Sequence, residues 1–246
     1  MSPEHLTTAA PPVLAQGPGL LFFLIIVLAL AAVVYGYYAA MKRKDALGKV
    51  ALELGFEFRP ARDYTRIGGR FDRIDFVQVG HDRYTQNHLI GHFDNNPIIA
   101  CDYHYAIGSG KHRSDHYYGI VFVEVPLQMP EVLVRQEHFF DKIAAAVGFE
   151  DIDFESAEFS KRFYVTAAER KFAYDLIHAR AIEYLLEHPD YCWEFEGETI
   201  AMYRSGCFKP EQIRPAIEAA VGFVRLIPEF VWQDRAASKR EGHHVS

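Results

Sequence analysis

One stretch of the chain constrains the fold more than any other. GLLFFLIIVLALAAVVYGYYAAM, residues 19 through 41, carries no charge. About 20 apolar residues in a helix cross the hydrocarbon layer of a bilayer, so this run predicts a transmembrane helix over 19–41. Tyr35, Tyr37 and Tyr38 cluster at its C-terminal end, where aromatic rings favour the membrane interface. Lys42, Arg43 and Lys44 come directly after it, and nothing basic except His5 precedes the run. The positive-inside rule then predicts a single-pass protein of the cell (inner) membrane, with the N-terminus outside and the C-terminal domain cytoplasmic. A secretory signal peptide would place its basic residues ahead of a shorter apolar core. Pro11, Pro12, Gly17 and Pro18 mark residues 1–18 as a short extracytoplasmic tail.

Charge narrows the function of residues 42–246. All 26 Lys and Arg lie after Met41, with 32 of the 33 acidic residues, a net of −6 for that part of the chain. An acidic domain lacks the basic footprint that nucleic-acid binding requires, so no nucleic-acid partner is expected. Cys101, Cys192 and Cys207 are far apart and form no C-x-x-C, which argues against a disulfide framework or a zinc knuckle.

Periodicity predicts an α+β class: an antiparallel β-meander, then a mixed helix and strand half, all preceded by the transmembrane helix. Residues 42–55 read as a membrane-proximal helix. Ala46, Leu47, Val50, Ala51 and Leu54 fall at helical spacing, and Gly55 is placed to cap it. Residues 56–232 read as the cytoplasmic α+β domain, with a possible division into 56–130 and 131–232. Residues 233–246 read as a loose tail. Strands are expected over RFDRIDFVQVG (70–80), NHLIGHF (87–93), IIACDYHY (98–105) and HYYGIVFVEVP (116–126), the last stopped by Pro126. Helices are expected in EHFFDKIAAAVGF (137–149), from Ala167 to His188 with Thr166 as N-cap, and over PEQIRPAIEAAVGFVRLI (210–227). FSKRFYV (159–165) reads as a strand, and YCWEFEGETIAMYR (191–204) as a hairpin around Glu196–Gly197–Glu198.

Few residues suggest chemistry. The GSGK at 108–111 fails as a phosphate loop. Tyr105 stands where the first glycine belongs, His112 stands where Ser or Thr belongs, and the stretch lies between two strands. It reads as a polar turn, and no nucleotide is expected. Six of the 12 histidines lie between positions 81 and 116. With a three-residue loop at Asp94–Asn96, His88 falls opposite Asp102, and His92 and His104 share that face. His88, Asp102 and His104 are then candidate ligands for a divalent transition metal. A four-residue loop splits them across two faces. The simpler reading makes them polar residues on the exposed face of a half-buried sheet. Asp151, Asp153 and Glu155 alternate in EDIDFE without the glycine or distal glutamate of a calcium loop.

CDYHYAIGSGKH (101–112) and VGFEDIDFESAEFSKRFYV (147–165) resemble a family of bacterial single-pass membrane proteins that has no assigned function. That family pairs an N-terminal span with an aromatic-Asp-Tyr-x-Tyr strand, a GSGK turn, a G-F-x-D-I-D-F stretch and an F-S-x-R-[FY] strand. The matching positions are Asp102, Tyr103, Tyr105, Gly108 to Lys111, Gly148 to Phe154, and Phe159 to Phe163. Cys101 departs from the aromatic, and VRQE (134–137) replaces a Leu-Arg-Pro-Glu. The resemblance runs from the span to about residue 210. It implies the architecture and no activity.

The leading expectation is a membrane-anchored cytoplasmic binding or scaffold domain without catalysis and without a cofactor. Its partners would be the lipid bilayer, through residues 19–41, and another protein. The alternatives are a metal-dependent hydrolase using His88, Asp102 and His104, and a small-ligand sensor.

Overall fold

The structure is a computed structural model, and it describes residues 18–65, 74–78, 80–136 and 152–233. Helix α1 runs from Pro18 to Leu54 without interruption. Among the described residues it is the one helix long and apolar enough to cross a membrane. The chain separates into two compact units, Met1–Lys42 and Arg43–Ser246. In the first, the apolar side chains from Leu21 to Met41 are exposed, as a lipid-facing helix requires.

In the second unit α1 turns amphipathic. Leu47 and Ala51 are 1% exposed, while Leu52 is 81% exposed. Gly55 takes φ +70°, its N–H bonds to Leu52 O at 3.1 Å, and Phe56 N–H bonds to Ala51 O at 2.8 Å. That pair of bonds is the Schellman stop expected at a left-handed glycine.

Among the described residues, six strands form one antiparallel sheet: β1 (Glu57–Arg59), β2 (His81–Phe93), β3 (Asn96–Ile107), β4 (Ser114–Gln136), β5 (Phe163–Ala167) and β6 (Cys192–Ser205). β1 to β5 are neighbours in chain order, and β6 pairs with β4. The helices of the second half are α2 (Ala157–Arg162), α3 (Arg170–Leu176), α4 (Ala179–Glu187) and α5 (Pro210–Val224). The α+β class read from the sequence therefore holds.

The sheet is apolar on both faces. Leu89, Ile98, Ala100, Val121, Val123 and Met202 belong to the larger core, with Leu47 and Ala51 of α1 and Ile213, Ile217 and Phe223 of α5. Ile99, Cys101, Tyr103, Tyr105, Ile120, Phe122 and Tyr203 form a second cluster with Ile74 and Val77. Trp193, Phe195 and Phe223 meet at centroid distances of 5.0 to 6.4 Å in the larger core. Each such ring contributes about 1.5–3 kcal/mol by leaving water.

Several local expectations are corrected. Residues 75–78 form a 3₁₀ turn and not a strand, and residues 66–73 lie outside those described, as does the helix expected over 137–149. β4 does not stop at Pro126 but runs to Gln136. Pro126 and Pro130 fall where its pairing with β6 shifts register, between Glu124 and Val132. A bulge asks no ladder hydrogen bond of a proline nitrogen. β6 is one strand and not a hairpin. Gly197 takes φ +58° and sits opposite Met129 in the same irregular stretch. Residues 157–162 form α2, capped by Ser156 through Phe159 N–H, before β5 begins at Phe163. Thr166 lies inside β5, and Glu169 is the N-cap of α3. The helix expected from 167 to 188 is two helices broken at Ile177 and His178.

Candidate functional site

The loop joining β2 to β3 decides the geometry of the histidine region. Asp94 and Asn95 both take positive φ, at 47° and 62°, and Phe93 pairs with Asn96. This is a two-residue turn of the left-handed kind that matches strand twist. It is shorter than either the three-residue or the four-residue loop expected from the sequence. A bulge at Asn87, with φ +54°, then shifts the register so that Asp102 lies opposite Gln86 and His104 opposite Tyr84. His88 therefore does not face Asp102.

Each of the three candidate ligands has partners of its own. Asp102 is 3% exposed. Arg43 reaches it from α1, donating Nη1–H to Oδ2 at 2.7 Å and Nη2–H to Oδ1 at 2.8 Å. Asn87 donates to Oδ2 at 2.7 Å. The same Nη2 also donates to Phe208 O at 2.7 Å. Burial opposes the charge on Arg43, but the hydrogen bonds and charge of Asp102 outweigh it and hold its pKa above the ordinary value. His88 contacts Arg59 O through Nδ1 at 3.1 Å and Thr85 Oγ1 through Nε2 at 2.9 Å. Burial pushes its pKa below the ordinary imidazole value. A neutral ring donating from Nδ1 and accepting at Nε2 satisfies both contacts. His92 is exposed near the turn. Among the described residues, no group of three His, Cys, Asp or Glu side chains is disposed to hold a metal ion.

His104 sits in a different company. Its Nδ1 faces Asp82 O at 3.0 Å, and its Nε2 faces Asp115 Oδ1 at 2.8 Å. Both partners are acceptors, so each of these contacts calls for a ring N–H. Its plane stacks on Tyr84 at 4.5 Å and leans on Tyr117 at 4.8 Å. The Arg62 guanidinium lies 4.4 Å from the Tyr84 centroid. Arg113 binds Asp115 and Asp82. The Asp115 carboxyl is pulled down to about 2, first by its bonds to Arg113 and then by His104. Burial and the neighbouring Tyr117 push the Tyr84 phenol up to about 12. Arg62, Tyr64, Asp82, Tyr84, His104, Arg113, Asp115 and Tyr117 line a surface cavity of about 340 Å³.

The polar turn beside this cavity is the GSGK stretch. Gly108 and Gly110 take φ of +74° and +56°, and residues 110–112 form a 3₁₀ turn between β3 and β4. A Cβ at Gly108 would collide with His112 O. The glycines therefore serve the turn. Burial raises all three thiols above the ordinary value, Cys192 and Cys207 to about 12.

Sequence reading missed Arg43, Arg62, Tyr84, Arg113 and Asp115. Arg43 was legible in part, since it falls on the helical stripe of Leu47, Ala51 and Leu54. Arg113, Asp115 and Tyr117 alternate in KHRSDHYY and so share a strand face.

No protein-family model matches the chain, and no curated protein matches it. Its fold is similar to the crystal structure of the mycobacterial trehalose monomycolate transport factor A, TtfA, with a TM-score of 0.56. That likeness covers 76% of this chain and 96% of that one, at 9% sequence identity. At such identity it is a likeness of fold.

Proposed function

We propose that this chain is a single-pass membrane protein whose domain from Arg43 onward binds another protein at the cytoplasmic face and does no chemistry of its own. One observation carries the proposal. The helix that holds the charge-free run continues, as one element, into residues whose side chains are built into the core of the sheet domain. That is the architecture of a tether. Arg43, from the basic cluster that the positive-inside rule reads as cytoplasmic, is used inside the domain on Asp102.

The fold supports a class of process. TtfA is by name a transport factor for trehalose monomycolate. A shared fold and an apolar N-terminal helix support an accessory role in transport at a membrane, with the domain engaging another protein.

Elemental analysis of the purified full chain tests the non-catalytic part. Less than stoichiometric zinc, manganese or iron is expected, with no change in His88→Ala. A stoichiometric metal lost in His88→Ala or His104→Ala would restore the hydrolase alternative. A reporter fused after Ser246 tests orientation: cytoplasmic activity is expected, and activity on the other side would reverse the topology.

A further inference from the structure

The second half of the domain carries an apolar groove that the anchor and the histidine cavity do not involve. It lies between the segment 152–156, α3 and α4, and encloses about 680 Å³. The segment is held firmly. Ile152 N–H bonds to Val165 O at 2.8 Å, and Ser160 Oγ donates to Phe154 O at 3.3 Å. Phe154 packs edge-on against Phe159 and Tyr174, both at 5.3 Å. Tyr174 closes one end by donating its hydroxyl to Asp153 O at 3.2 Å.

α4 supplies the opposite wall with the edge of its apolar face. Ala181 and Leu185 are fully buried against the core. Ile182 and Leu186, four residues apart, pack on the edge of that core, are half-buried, and turn their remaining surface to the groove.

The rim is charged with one sign. Asp153, Glu155 and Glu183 line the groove, and among the described residues no Lys, Arg or His does. None of the three carboxylates makes an ion pair among the described residues, whereas Glu158 and Asp175 nearby pair with Arg162 and Lys171. An apolar floor under unpaired carboxylates complements an amphipathic helix whose polar face is basic.

We infer that this groove docks a basic amphipathic helix of another protein. The inference rests on the protein-binding reading of the domain and names the chemistry of its partner. Ile182, Leu186 and Phe154 receive the apolar face, and Asp153, Glu155 and Glu183 meet its lysines or arginines.

The test uses the full chain in lipid nanodiscs and a synthetic amphipathic peptide of Leu and Lys carrying a central photo-cross-linker. Mapping by mass spectrometry is expected to place cross-links on residues 152–156 and 174–186. In the triple variant Asp153→Lys, Glu155→Lys, Glu183→Lys the groove yield is expected to fall about tenfold, and to fall likewise in high salt. All three sites are on the rim, and circular dichroism confirms that the variant folds. A peptide with Glu in place of Lys is expected to leave the groove unlabelled. Four results would each overturn the inference: labels scattered over the domain, equal labelling by the Glu peptide, no effect of charge reversal, or no groove label. A groove already filled by residues 137–151 of the same chain gives the last. A second copy seated in the groove would appear as chain-to-chain cross-links there and would also overturn it. Any of these leaves binding of a protein elsewhere on the domain intact, so the two readings fail separately.

Discussion

Arg43 and Asp102 are 59 positions apart in the chain and joined by two parallel hydrogen bonds of 2.7 and 2.8 Å. The carboxylate side chain is 4% exposed and the guanidinium 28%. Removing one partner of a pair this deep leaves the other charge without compensation. Arg43→Ala is expected to destabilise the domain by about 3 kcal/mol, measured by denaturant unfolding of the full chain in detergent. The double variant Arg43→Leu, Asp102→Leu is expected to recover most of that loss. A silent Arg43→Ala would mean that the pair does not secure α1 to the sheet.

Gly119 lies under the ring of Phe208, whose carbonyl also accepts from Arg43. A methyl group there meets Phe208 Cδ2 directly. Gly119→Ala is expected to cost about 1–3 kcal/mol through forced displacement of that ring. Its effect is expected to be less than additive with Arg43→Ala, because both act on Phe208. A thermodynamic cycle of the two variants checks this.

His88 sets an acid limit. Its folded pKa lies below the unfolded value, so between the two the unfolded chain binds more protons. The stability it contributes is complete above about pH 6.5, the ordinary imidazole value, and is lost as pH falls toward the folded value. Unfolding midpoints measured from pH 7.5 to 5.5 are expected to fall in wild type and to fall less in His88→Gln. Equal slopes would exclude His88 as the source.

Asp115 is expected to stay ionised down to about pH 2 in the folded protein, held by Arg113 and then His104. Arg113→Ala is expected to raise its midpoint toward the ordinary carboxylate range. Carboxyl chemical shifts followed through an acid titration report this directly. The ion pairing it supports is present above the unfolded carboxylate value and is lost as pH falls through the folded one.

The features legible in the sequence rest on local physics. A charge-free apolar run, alternation in IIACDYHY and the turn residues Asp94 and Asn95 each act within a few positions. The misreadings share a cause of the opposite kind. Pro126 and Gly197 look like a strand stop and a hairpin turn, yet they lie together where β4 bulges against β6. Only the pairing of distant segments makes those residues acceptable. The candidate metal face was dispersed for the same reason. The two-residue turn moved the register by one position from the expected pairing, and the bulge at left-handed Asn87 moved it by another, leaving His88 on Thr85 and Arg59. The partner of Asp102 came from a helix read as a membrane flank.

The most direct test of a tethered binding domain is quantitative co-purification of the full chain from cross-linked native membranes. The account predicts one membrane protein recovered in fixed stoichiometry, and its loss when residues 19–41 are replaced by a soluble leader. Recovery of the chain alone, under conditions where a known membrane complex from the same preparation stays intact, would contradict it.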